Sequence, residues 1–197
     1  MKKGDQTRER IIEQTAPLFN KLGYFGASLA DVMQATGLKK GGIYNHFGSK
    51  DELALEAFEY AASCSSRRFA ERIAGKTSAV DKLLAQAEVF AENFANPPIA
   101  GGCPVLNTAV ESDDAHPQLR KRVVQAMDRW REKISKIVEE GKRTGELKPN
   151  LESDVVATQM IATLEGGTMM SRLYGEPTHI NRAVQFISAY IQNDLKA

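Results

Sequence analysis

"LKKGGIYNHFGSK", residues 38–50, sets two glycines directly ahead of a run that reads as an amphipathic helix. A Gly inside a helix costs about 1 kcal/mol against Ala. Gly41 and Gly42 therefore make sense where something must come close to that backbone, or where "KKGG" is an ordinary turn. The residues upstream sharpen the choice. Ser28 is a good N-cap, Asp31 supplies the acid at the third helical position, and Gly37 suits the residue just past a helix end. The spacing predicts a helix over 28–36, a tight turn, and a short helix over 40–47, the layout of a helix-turn-helix. Ile43 and Phe47, four apart, anchor the second helix to a small core. Lys39, Lys40, Tyr44, Asn45, His46 and Lys50 are all able to reach phosphates or base edges. Without a Cβ, the backbone at Gly41 and Gly42 can approach a phosphate or a thymine methyl, and helix-start N–H groups favour an anion. The competing reading is an exposed polar face on a helix pair joined by a Gly turn.

Composition narrows the class. Of 197 residues, 42% are hydrophobic and 26% charged, which supports a packed core and argues against disorder. No apolar run approaches the roughly 18 residues of a membrane span, and no apolar segment follows the basic start as in a secretory signal. Cys64 and Cys103 form neither a metal nor a disulfide pattern, so the expected location is the reducing cytoplasm. Charge is uneven. Residues 1–50 hold eight Lys/Arg against four Asp/Glu, a net of +4, whereas the remainder holds 18 against 21, a net of −3. A basic end on a slightly acidic body points to an anionic partner met at that end.

The chain reads helical nearly throughout, with about nine helices. Ile11, Ile12, Thr15, Leu18, Phe19 and Leu22 share one face of a helix over 7–22 that Thr7 can cap and Pro17 should bend. Gly23 and Gly26 break it. Ser49 caps a fourth helix running to about Arg72; further helices are expected over 78–95, 103–111, 117–143, 152–174 and 178–194. The fold class is all-α, divided into residues 1–50, a three-helix DNA-binding domain, and 51–197, a larger ligand-binding and dimerisation domain.

Residues 7–55 resemble the N-terminal domain of the TetR family of transcriptional regulators, carried by "GYFGASLADVMQATGLKKGGIYNHFGSKDEL" and above all by "IYNHFGSKDEL". The resemblance implies that Ser28, Tyr44, His46 and Lys50 meet the phosphate backbone. It also implies that Lys40, Gly41, Gly42 and Asn45 face base edges in the major groove. Lys39 stands where that family commonly has a Ser or Thr cap, and Gly42 where it has Thr, Ser or Ala. The resemblance further implies a homodimer on a palindromic double-stranded DNA operator, released by a small-molecule inducer, with no cofactor and no membrane association.

Two surfaces are expected in the larger part. Ile180, Val184, Ile187 and Ile191 form a seam on the last helix, and Gly166 and Gly167 permit close helix packing. This is a dimer interface by resemblance, or else a face that both helices bury in their own core. Phe90, Phe94, Cys103, Leu106, Met127, Trp130, Met160 and Leu164 are candidate pocket walls, the alternative being plain core. Cys103 precedes Pro104 and so falls near a helix N-cap, where the dipole lowers a thiol pKa. "GGCPVLNTAVES" resembles a segment of family branches in which some members sense electrophiles or oxidants; a small buried hydrophobe is the other reading. His46, His116 and His179 lack metal-ligand spacing, and no catalytic motif appears, so neither a metal site nor an enzyme is expected. The function read here is a ligand-responsive repressor, released by an inducer or by modification of Cys103.

Overall fold

Capping residues and glycines decide where the helices of this protein start and stop. A computed structural model describes residues 3–197. Its elements are α1 (Lys3–Gly26), α2 (Leu29–Thr36), α3 (Lys40–Tyr44), α4 (Lys50–Ile73), α5 (Ala79–Ala95), α6 (Pro104–Ser112), α7 (Pro117–Thr144), α8 (Ser153–Tyr174) and α9 (Thr178–Tyr190), followed by a π-helical turn, Ile191–Leu195. No strand occurs among the described residues; one antiparallel bridge joins Leu147 to Lys196.

Several expected boundaries move for local reasons. α1 is already helical at Lys3, before Thr7, and its backbone stays helical at Pro17; the break comes at Gly23, with φ 76° and ψ 168°. α3 is shorter than 40–47. After Tyr44 the chain tightens, with the His46 and Phe47 amides both donating to the Ile43 carbonyl at 3.0 and 3.2 Å. The capping box at Ser28 and Asp31 is present, and Gly37 closes α2 in the left-handed region at φ 67°.

By packing, the chain divides into two compact units. One comprises residues up to Ser65 together with Ile99–Ala126; the other comprises Ser66–Pro98 and Met127–Ala197. The division falls inside α4 and α7. In the first unit, Ile11, Val32, Ile43, Phe47 and Leu53 form a small core that seats α2 and α3 on α1 and α4. Alanines at 16, 57 and 61 let α1 and α4 approach closely, beside Cys64 and Ile99.

The second unit encloses a larger core of α5, α7, α8 and α9, including Leu83, Val138, Met160, Leu164 and Ile187. Here the expected dimer seam is corrected. Ile180, Ile187 and Ile191 are 0% exposed within a single chain, so their own core buries them, and Val184 packs partly buried beside them. The physical reason is the α8–α9 hairpin. Its short linker folds α9 back on α8, and the most regular apolar stripe of α9 fills that crevice. Gly167 belongs to the same contact, since a Cβ there would lie 2.6 Å from the Ala183 Cβ. The apolar residues left outside are different ones: Met169, Met170, Leu173, Tyr174 and Phe186. Gly166, next to Gly167, faces open space, and a Cβ added there would meet nothing within 4 Å.

The two adjacent glycines should respond oppositely to the same change. Gly167→Ala overpacks the hairpin and should destabilise by about 1–3 kcal/mol. Gly166→Ala adds helix propensity in open space and should stabilise by up to about 1 kcal/mol. Thermal unfolding of the two variants reads the difference as midpoints displaced in opposite directions.

Candidate nucleic-acid interface

The helix pair α2–α3 is fixed from below and open above. Ile43 and Phe47 are each 1% exposed, so their expected anchoring role holds. Sequence reading missed the clamp beneath them. Arg8 of α1 lies over the Phe47 ring at 4.7 Å, donates to the His46 carbonyl at 3.4 Å, and pairs with Glu52 and Glu56 of α4. The hydrogen bonds that Arg8 donates to Glu56 raise the Arg8 pKa further, so the guanidinium stays charged. One cation thus ties the end of α3 to both helices that support it.

Lys39, Lys40, Gly41, Tyr44 and Asn45 are exposed, and Gly42 and His46 are half-buried. The Lys40 ammonium sits 5.9 Å from the Tyr44 ring centroid, which groups the two side chains. Neither glycine of the pair is demanded from within. A Cβ on Gly41 would meet nothing within 4 Å, and one on Gly42 would make ordinary contact with Leu38 at 3.6 Å. Their φ angles are not left-handed either.

Two expected phosphate contacts are engaged internally. The Ser28 hydroxyl donates to Asp31 Oδ2 at 2.6 Å and accepts from the Asp31 amide at 3.2 Å. That side-chain hydrogen bond, with a second from the Ser28 amide, lowers the Asp31 pKa. Lys50 is turned toward Tyr24. Its ammonium donates to the Tyr24 carbonyl at 2.6 Å and lies 4.5 Å from the ring centroid. A lysine has three donors, so one such bond leaves others for a partner.

Tyr24 is the centre of a polar knot that sequence reading did not find. Its hydroxyl donates to Asp51, and the His116 ring meets its ring edge-on at 4.6 Å. His116 itself caps α7, its Nδ1 accepting the Leu119 amide at 3.2 Å. Desolvation, then the hydrogen bond to Asp51, push the Tyr24 hydroxyl up to about 12. The partners lie far apart in the chain, and no local pattern links them.

The remaining expected residues fall as follows. Phe90, Met160 and Leu164 are core, with Phe94, Met127 and Trp130 packed partly buried against it. Cys103 and Leu106 belong to the first unit. Cys103 is the N-cap of α6 with Pro104 at the first turn, as the sequence suggested, and makes no side-chain cap bond. A small cleft in the first unit, of about 20 Å³, is lined by Phe19, Tyr24, Phe58, Thr108 and Glu111 among others.

Comparison with known proteins agrees with this layout. Residues 11–57 match the family described as bacterial regulatory proteins, tetR family, and residues 79–187 match the tetracyclin repressor-like C-terminal domain. The crystal structure of a TetR transcriptional regulator from Chloroflexus aurantiacus J-10-FL is 46% identical, with a TM-score of 0.96 over 100% of this chain and 99% of that one. A TetR-family regulator from Cytophaga hutchinsonii is 30% identical, with a TM-score of 0.92 over 100% and 98%. The HTH-type transcriptional repressor DhaR of Mycobacterium sp. (strain GP1) is 24% identical over 84% of this chain and 82% of its own length.

The Tyr24 knot has a pH signature. A raised hydroxyl pKa stabilises the fold fully below the unfolded value of about 10. That contribution should be lost as pH rises through about 12. Ultraviolet titration should show a tyrosine ionising near the upper value, absent in Tyr24→Phe and shifted down in Asp51→Asn.

Proposed function

The chain belongs to the TetR family of bacterial transcriptional regulators, and we propose that it is a repressor that reads a palindromic operator with α3 and releases it on an inducing signal. The protein is a DNA-binding regulator, and its relatives are regulators rather than enzymes. Members of the family typically bind DNA as dimers and respond to small molecules. No described helix is long and apolar enough to cross a membrane. We assign its action to the cytoplasm, residues 1–50 to DNA reading and 51–197 to signal and dimer formation.

The observation that carries the DNA reading is the surface of α3. Lys39, Lys40, Tyr44 and Asn45 stand exposed on a helix pinned by Ile43 and Phe47, beside two glycines the fold does not itself require. Lys40, Gly41, Gly42 and Asn45 are assigned to base edges. Ser28, Lys39, Tyr44, His46 and Lys50 are assigned to the backbone. Ser28 reaches a phosphate by redirecting its hydroxyl from Asp31, and Lys50 by using a second donor.

Two copies meet, in this reading, through Leu173, Tyr174, Met169 and Phe186. Leu173 and Phe186 are 76% and 62% exposed, and large exposed apolar side chains grouped on one hairpin suit an interface. The inducer site is assigned to the aromatic group Phe69, Phe90 and Trp130, whose centroids are 5.5 Å apart. The buried Trp130 indole N–H has no hydrogen-bond partner there. An apolar inducer with one acceptor satisfies it, since an unmet buried donor costs about 1–3 kcal/mol. Modification of Cys103 at the start of α6 is the alternative signal. Either acts only by favouring the conformation that fits DNA less well.

Selection from a random duplex pool should return a palindrome. Lys40→Ala should relax selectivity at one base pair per half-site by about 1–3 kcal/mol. Tyr44→Phe should weaken all sequences alike. Recovery of no preferred sequence would remove the DNA reading. N-ethylmaleimide added to the complex tests the thiol signal: release in the wild type but not in Cys103→Ser identifies it, and retention in both removes it.

The doubly charged variant Leu173→Asp, Phe186→Asp should sediment as a folded monomer and bind the palindrome at least about tenfold more weakly. A dimer surviving both changes would place the interface elsewhere.

A further inference from the structure

We propose that Glu111, on α6, is a positioning residue for DNA binding: its carboxylate holds the junction from which α2 and α3 depart, so the register of α6 on α1 decides whether they fit a groove. The proposal rests on the reading of α3 as the DNA-contacting helix.

The junction needs holding. The backbone of α1 turns non-helical at Gly23, and the amides of Tyr24 and Phe25 follow that break. Glu111 accepts both, one on each carboxylate oxygen, at 2.8 Å. Charge-assisted bonds to backbone N–H groups are among the stronger hydrogen bonds in proteins. Gly23 suits the clamp on two counts, since a side chain there would be strained and would displace the Glu111 carboxylate. Its φ of 76° is left-handed, and a Cβ there would stand 2.5 Å from Glu111 Oε1 and 2.7 Å from its carboxyl carbon. The glycine and the glutamate form one device built from residues far apart in sequence.

What leaves the junction is the DNA-reading pair. The Ala27 amide returns to the Gly23 carbonyl at 3.1 Å, and Ser28 then caps α2. Tyr24 is held through every polar group it has. Its amide goes to Glu111, its carbonyl accepts from Lys50, and its hydroxyl donates to Asp51. α4 therefore grips Tyr24 from one side and α6 from the other.

A second clamp sets the register. Asn107, one turn before Glu111, donates to the carbonyl and the side-chain oxygen of Asn20, one turn before Tyr24, at 3.1 and 3.0 Å. Asn20 in turn donates to the Ala100 and Gly102 carbonyls at the entry to α6. Both clamps pair residues 87 apart. α6 and α1 thus run in one fixed offset, and a slip of α6 by one residue would break both clamps together. The two clamps therefore hold or fail together.

The test uses the full-length protein and a fluorescein-labelled duplex of the sequence selected by the wild type. Glu111→Ala should bind that duplex about tenfold more weakly at 25 °C, 1.4 kcal/mol, with its far-UV circular dichroism unchanged. Glu111→Gln keeps the shape and one acceptor, and should fall between. Because only the competent fraction is reduced, the slope of log affinity against log salt should stay at the wild-type value. Hydrogen exchange should quicken at the Tyr24 and Phe25 amides. Wild-type affinity in both variants, or unchanged exchange at those two amides, would overturn the proposal while leaving the DNA reading intact. A wild type that selects no duplex would overturn the two together.

Discussion

Everything the first unit presents depends on how α1 ends. A helix that continued through residue 23 would carry Tyr24 and Phe25 onward in a straight line, and α2 would have no route back to the core of Ile11, Val32 and Phe47. The left-handed Gly23 stops it, but a glycine alone specifies only a break and no direction. Direction comes from charge. A carboxylate on one side and an ammonium on the other seize the amide and the carbonyl of a single residue, Tyr24. The apolar contacts below are short-ranged and tolerant of small rotations; the polar contacts at the junction are not.

The same division of labour recurs at α3. Its apolar anchors fix depth, whereas Arg8, reaching Phe47, the His46 carbonyl and two glutamates, fixes rotation. α3 is only five residues long, so it has little hydrogen-bonded length of its own to keep it helical. Its order is borrowed from α1 and α4. This explains how a helix can carry two glycines without losing its place.

What the sequence reveals follows the range of the forces involved. The cap at Ser28, the acid at Asp31 and the stop at Gly37 act within one turn, and all three were legible. Cys103 as an N-cap before Pro104 was legible for the same reason. The role of Ile180, Ile187 and Ile191 was not. An apolar stripe states that a face is buried, and is silent on whether its own chain or another buries it. Here the α8–α9 hairpin claims the regular stripe, and the irregular set Met169, Leu173 and Phe186 is left outside. The internal contacts of Lys50 and Glu111 were hidden in another way. Lys50 was expected at a phosphate, and the partners of both side chains are backbone atoms, which leave no trace in a side-chain pattern.

The spacing of the Glu111 clamp also has a meaning in time. Its two ends are separated by 87 residues, and a ribosome adds roughly 5–20 residues per second. For about 4–17 s after Tyr24 is added to the chain, the carboxylate that orients α2 has not yet been made. The helices at the head of the chain can form in that interval, since their caps are local. Their final orientation has to wait for α6, so a nascent chain passes through a stage with its reading helices built but not yet aimed.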